Sequence, residues 1–95
     1  YACLASRFVY GETITVDKLN MVDQAEQFLM DLGFVQVRVR IHGLMARIEI
    51  EPEAFDRFLE KAIREKVEAK LKQIGFTYVT LDLQGYRSGS MNEIL

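Results

Sequence analysis

The sequence predicts an α+β fold in which two amphipathic helices cover one face of a small sheet containing an antiparallel hairpin. Apolar residues recur at helical spacing in two stretches, and each stretch ends at a glycine. Between them, apolar and polar residues alternate strictly, which predicts two strands joined by a turn. With 95 residues, of which 49% are apolar and 27% charged, the chain is long enough for one hydrophobic core.

The first helix is predicted over residues 16–32. Thr15 is placed to cap its first turn, and Gly33 is placed to end its last turn. The apolar stripe that would face the sheet consists of Leu19, Val22, Ala25, Phe28, Leu29 and Leu32.

Two strands are predicted next, over residues 34–41 and 44–51, where the hydrophobic period changes from 3.6 to 2. His42 and Gly43 supply a tight turn between them, so the strands are expected to pair as an antiparallel hairpin.

One long second helix is expected after the hairpin. Pro52 suits its first turn because proline has no N–H to leave unpaired there, and Gly75 ends it. A third strand is predicted over residues 76–83.

The order helix, strand, strand, helix, strand is a split βαβ pattern without its first strand, and it predicts a ferredoxin-like αββαβ layer with both helices on one face. The sheet is expected to have three or four strands, and residues 7–10 are one candidate for the fourth. We therefore divide the chain into a lead-in over residues 1–13, a ferredoxin-like domain over residues 14–83 and a C-terminal loop over residues 84–95.

Composition excludes several classes of function. A formal net charge of −2 argues against nucleic acid as a partner. No apolar run approaches the roughly 20 residues that cross a bilayer, and no signal-peptide pattern is present, so no membrane role is expected. The single cysteine allows no internal disulfide and favours a cytoplasmic location.

The strand alternation gathers charged residues on the face of the sheet that the helices leave open. Arg38 and Arg40 would lie on the first strand, Arg47 and Glu49 on the second, and Tyr78, Thr80 and Asp82 on the third. Two arginines at alternate positions can bind a phosphate or carboxylate. The alternative is a solvated face held by cross-strand ion pairs such as arginine with Glu49.

Cys3 is a candidate nucleophile. Arg7 lies near it in sequence, and a nearby cation favours the reactive thiolate. The alternative is an inert thiol that serves as a small apolar side chain. His42 would act as a base for Cys3 only if the fold brought the two together.

Several segments together resemble the C-terminal region of the LarE family of ATP-dependent sacrificial sulfur transferases. The resemblance covers essentially the whole chain, in order, and its closing segment is the most specific. The segments are CLASR at 3–7, YG at 10–11, VRVR at 37–40, HG at 42–43, ARIE at 46–49, GFTYVTLDL at 75–83 and GYRSGSMNE at 85–93.

The resemblance implies a reaction. In that family an N-terminal PP-loop ATP pyrophosphatase domain adenylates a carboxylate of a pyridinium biscarboxylic acid mononucleotide. A cysteine thiolate displaces AMP, and its sulfur leaves with the product as a thiocarboxylate on the way to the nickel-pincer nucleotide, so that dehydroalanine remains in the protein.

By position, the resemblance makes Cys3 the sulfur donor. Arg38 and Arg40 would bind the anionic nucleotide, with Arg7 and Arg47 as further anion-binding candidates. Glu49 and, less directly, Asp56 would match acidic residues near a metal or the substrate.

The glycine-rich loop that grips pyrophosphate in PP-loop enzymes does not occur in this sequence. We therefore expect no cofactor in this chain itself, with ATP and magnesium used by a longer parent enzyme that supplies the PP-loop domain. The resemblance also implies a homo-oligomer. The alternative function is a non-catalytic oligomerisation or ligand-binding module of a PP-loop protein.

Overall fold

In a computed structural model, the described part of the protein comprises residues 7–8, 11 and 13–86. Cys3, most of the other lead-in residues and residues 87–95 of the predicted C-terminal loop lie outside it. The described part is an α+β layer of helices and a three-stranded sheet, which confirms the predicted ferredoxin-like α+β class. The predicted αββαβ order differs from the observed order only in that its second helix is divided in two.

The first helix, α1, spans Val16–Asp31, as predicted to within one residue. The Thr15 hydroxyl accepts a hydrogen bond from the Lys18 backbone N–H at 3.1 Å, which confirms the predicted cap. Gly33 follows the helix with φ of +102°, a conformation that glycine adopts without steric cost.

Strands β1 (Val37–His42) and β2 (Met45–Ile50) form the predicted antiparallel hairpin. The pairing extends to His42 opposite Met45, so the turn lies at residues 43–44, one residue later than predicted. The first strand also starts later than predicted. Val35 is 81% exposed, and the next backbone N–H, that of Gln36, donates to the Glu51 carboxylate at 3.2 Å instead of to a strand.

The expected single long helix is wrong. A 3₁₀ turn spans Pro52–Ala54, helix α2 spans Phe55–Phe58 and helix α3 spans Lys61–Ile74. The chain is extended at Glu60, with ψ of 140°, and α3 then starts in a new direction. Burial accounts for the break, because it lets Phe58 pack edge-on against Phe34, with ring centroids 5.4 Å apart, while α3 buries its own apolar residues.

Strand β3 spans Tyr78–Leu81, shorter than predicted, and pairs in parallel with β2. The sheet order is β1-β2-β3. On the other side of β1, Phe8 forms an isolated parallel bridge with Ile41, whose N–H donates to the Arg7 carbonyl at 2.9 Å. The segment proposed as a fourth strand therefore begins to pair at the edge of β1.

The core lies between one face of the sheet and the helices. Helix α1 packs against β1, and α3 packs against both β3 and α1. The fully buried side chains of largest volume are Phe34, Leu29, Ile41, Ile48, Ile50, Leu71, Val22, Val39 and Val67. None of the helices among the described residues is both long enough and apolar enough to span a bilayer.

Candidate functional site

The sheet face opposite the core carries a continuous set of polar side chains, which we call the polar face. Its members are Arg38, Arg40, His42, Arg47, Glu49, Tyr78 and Thr80 from the strands, with Asp82 and Tyr86 following β3. In register, Arg38 lies opposite Glu49, Arg40 opposite Arg47, and Arg47 beside Thr80. The predicted alternation therefore brings all three strand arginines to one surface.

Glu49 lies at the centre of the polar face and is only 7% exposed. Its carboxylate accepts hydrogen bonds from the Arg40 guanidinium at 3.2 and 3.4 Å, and from Arg47 at 3.2 Å. Arg40 and Arg47 are direct cross-strand partners whose like charges would repel. Glu49 offsets that repulsion because it pairs with both.

Arg47 extends this network to β3 and to the hairpin turn. Its Nη1 donates to the Asp82 carboxylate, and its Nε donates to His42 Nε2 at 3.0 Å. His42 Nε2 is the acceptor in this contact. Arg40, Arg47, Glu49 and Asp82 thus form a cross-strand ion-pair network, which is the arrangement that the structural alternative predicted.

Arg38 stands apart from that network. Among the described residues, its side chain makes no hydrogen bond and no ion pair. Its guanidinium instead lies over the ring of Tyr86, 5.5 Å from the centroid. Within the described part of the chain, the N–H donors of the half-buried Arg38 are therefore unused, whereas Arg40 and Arg47 have their charge balanced by carboxylates.

Arg7 lies away from the polar face, at the edge of β1. Its guanidinium donates two hydrogen bonds to the Glu26 carboxylate of α1, at 2.7 and 3.1 Å. The same carboxylate accepts the Val39 backbone N–H at 2.9 Å. Arg7 is thus tied to the core, and its role in binding an anion stays a prediction.

Glu26 is a residue that the sequence reasoning missed. It is 6% exposed and lies between Ala25 and Leu29 on the buried side of α1. Glu26 follows Leu19 by seven residues and Val22 by four, so helical spacing places it in the apolar stripe. A carboxylate at such a position is the signal that would have singled it out.

The predicted metal ligands, Glu49 and Asp56, have different surroundings. Glu49 has both carboxylate oxygens engaged by arginines, and Asp56 lies exposed on the short helix α2. No group of three or more potential metal-ligating side chains occurs in the part of the chain that the structure describes. A metal role for Glu49 and Asp56 therefore stays a prediction.

The chain matches no protein-family model, but it is similar to longer proteins. It is 47% identical over 92 residues to the pyridinium-3,5-bisthiocarboxylic acid mononucleotide synthase of Lactiplantibacillus plantarum, a match that covers 97% of this chain and 33% of the synthase. It is 48% identical over 93 residues to the uncharacterized protein slr1717 of Synechocystis, covering 98% of this chain and 35% of that protein.

A third relative, the uncharacterized protein MJ0830 of Methanocaldococcus jannaschii, is 36% identical over 88 residues, covering 90% of this chain and 33% of that protein. The chain thus spans about one third of the length of the curated relatives that it matches. Along nearly its whole length, this chain is therefore similar to a segment of a pyridinium-3,5-bisthiocarboxylic acid mononucleotide synthase.

Proposed function

We propose that this chain is the substrate-binding and sulfur-donating part of a sulfur transferase that converts a carboxylate of a pyridinium mononucleotide to a thiocarboxylate. The observation that carries the proposal is the 47% identity, over 97% of the chain, to a synthase named for such a product. The arginines of the polar face also support the proposal, because a pyridinium mononucleotide carries phosphate and carboxylate groups that arginine binds well.

In the proposed reaction, Cys3 is the nucleophile and the sulfur source. Its thiolate attacks the carbonyl carbon of an adenylated carboxylate, a C–S bond forms, and AMP leaves with the electron pair of the broken C–O bond. A base then removes the Cα proton of Cys3, the Cβ–S bond breaks, and the sulfur departs with the product as a thiocarboxylate. Dehydroalanine remains in the chain, so each protein molecule donates one sulfur atom.

The polar face has the charge required to hold the substrate. Three arginines and two carboxylates give it a net charge of +1 (3 − 2) with His42 neutral, although the whole chain has a formal charge of −2. A local positive surface on an acidic chain favours a small anionic ligand over a nucleic acid.

Three further elements belong to the proposal and concern the longer protein. A PP-loop domain would bind ATP and magnesium and adenylate the substrate. The assembled enzyme would be a cytoplasmic homo-oligomer. Glu49 would hold Arg40 and Arg47 in place, because both of its oxygens accept hydrogen bonds from them. A role of Glu49 and Asp56 near a metal belongs to the same proposal.

A segment exchange tests the proposal. The matching third of the Lactiplantibacillus plantarum synthase is replaced by this chain, and thiocarboxylate formation from ATP and the pyridinium biscarboxylic acid mononucleotide is measured. We expect the hybrid to form product and the Cys3→Ser hybrid to form none. A Cys3→Ser hybrid that forms product at the same yield per protein would contradict the proposal and favour the non-catalytic alternative.

A further inference from the structure

We propose that Tyr86 is a positioning residue that holds the Arg38 guanidinium for an oxyanion of the phosphate class. The inference rests on the proposed function for the identity of the full ligand, a pyridinium mononucleotide. Binding of inorganic phosphate at Arg38 can be measured independently of that function. It divides the three arginines of the polar face into two that are structural and one that receives the ligand.

The two carboxylates of the polar face pair with some of its arginines and not with others. Glu49 is the cross-strand neighbour of Arg38, yet both of its oxygens are engaged by Arg40 and Arg47. Asp82 is engaged by Arg47 as well. The two carboxylates of the polar face are therefore both used by arginines other than Arg38. At Arg40 and Arg47 an incoming anion meets a charge that carboxylates already balance, whereas Arg38 has no carboxylate partner among the described residues.

Arg38 is nevertheless held in place, because the Tyr86 ring lies against its guanidinium at 5.5 Å. A cation–π contact restrains the guanidinium but uses none of its N–H groups. A long side chain without such a contact loses rotamer entropy when it binds a ligand, and the contact removes part of that cost in advance. Tyr86 thus restrains Arg38 without using its donors.

Backbone contacts on both sides of the Gly85–Tyr86 peptide bond restrain the position of Tyr86 relative to β2. The Tyr86 N–H donates to the Ile50 carbonyl at 2.7 Å, which fastens the segment after β3 to the end of β2. The preceding residue, Gly85, is buried with φ of +79°, and a Cβ at that position would lie 2.8 Å from the Ile50 carbonyl oxygen. Only glycine fits there, so the chain reaches Tyr86 along a fixed path.

The test uses the 95-residue chain labelled with ¹⁵N, two probes and four variants. The probes are inorganic phosphate and nicotinic acid mononucleotide, and the readouts are the dissociation constant and the shift of the Arg38 side-chain Nε–Hε signal. We expect Arg38→Ala to abolish the response and Tyr86→Ala to raise the dissociation constant of both probes by about 3- to 5-fold, the range typical of an exposed cation–π contact. Tyr86→Phe keeps the ring and is expected to bind within about twofold of the parent chain. Leu83→Ala removes an exposed side chain from the same segment, outside the polar face, and serves as the control.

The outcomes separate the two proposals. If the nucleotide binds at Arg38 and Tyr86→Ala changes neither the dissociation constant nor the Nε–Hε signal, this inference is wrong while the proposed function stands. If phosphate binds at Arg38 with the expected dependence on Tyr86 but the nucleotide does not bind, this inference stands. The proposed function is then contradicted, because this face does not bind a pyridinium mononucleotide. If neither probe shifts the Arg38 signal, the inference is overturned.

Discussion

The Arg7 guanidinium and the Glu26 carboxylate form a two-point ion pair, with N–O distances of 2.7 and 3.1 Å, at the edge of β1. Both side chains are largely buried, with 12% and 8% of their surface exposed. Because Arg7 lies four residues after Cys3, this pair fastens the chain next to the proposed sulfur donor onto the core.

Replacing Glu26 by glutamine is expected to destabilise the fold by about 3 kcal/mol, because a buried guanidinium is left without its counter-charge. The free energy of unfolding from urea titration measures the effect. Asp23→Asn removes the same charge from an exposed position of α1 and is expected to change stability by less than about 0.5 kcal/mol. Equal effects of the two substitutions would show that the ion pair does not stabilise the fold.

Glu49→Gln is expected to cost about 2 to 4 kcal/mol, since Arg40 and Arg47 would then face each other across the strands without a shared carboxylate. Thermal unfolding monitored by circular dichroism provides the measurement. Glu53→Gln, on the exposed 3₁₀ turn, is the control that removes the same charge. A Glu49→Gln protein as stable as the control would mean that the two arginines do not need Glu49.

Arg57→Ala tests the contact between the short helix α2 and the end of α1. The Arg57 guanidinium donates to the Leu32 carbonyl at 2.9 Å and lies over the Phe34 ring, 4.1 Å from its centroid. Loss of both contacts is expected to cost about 1 to 2 kcal/mol in chemical denaturation. The exposed Arg64→Ala variant on α3 is the control, and a loss of the same size there would rule out a specific role for Arg57.

Gly85→Ala is expected to destabilise the protein by about 2 kcal/mol or more, because the added Cβ meets the Ile50 carbonyl oxygen at 2.8 Å and φ is +79°. Gly43→Ala is the matched comparison. Gly43 also has a positive φ, of +61°, but a Cβ there has nothing within 4 Å, so we expect a cost of only about 1 kcal/mol. Identical unfolding midpoints for the two variants would show that the Ile50 carbonyl does not restrict position 85 to glycine.

The composition of the polar face was predictable from sequence because a strand has a period of two, and alternation alone assigns Arg38, Arg40 and Glu49 to one surface. Which arginine pairs with which carboxylate was not predictable. That choice depends on the register, which places Arg40 opposite Arg47 and lets Glu49 reach both.

Two other features escaped the sequence for different reasons. The apolar stripe of the second helix continues across residues 59–60, so periodicity gave no sign of the break that burial of Phe58 imposes. The helical spacing of Glu26 indicates that it lies on the buried side of α1, but not which residue balances its charge. That partner, Arg7, is nineteen residues away in sequence, and local patterns hold no information on such a distant pair.

The role of Cys3 as sulfur donor is tested most directly by the mass of the peptide that contains Cys3 after reaction. The hybrid synthase that contains this chain is turned over with ATP and the pyridinium biscarboxylic acid mononucleotide, and its peptides are analysed by mass spectrometry. The account predicts that the peptide with Cys3 loses the mass of one hydrogen sulfide in proportion to product formed, as conversion to dehydroalanine requires. Product formed while Cys3 keeps its full mass would contradict the account.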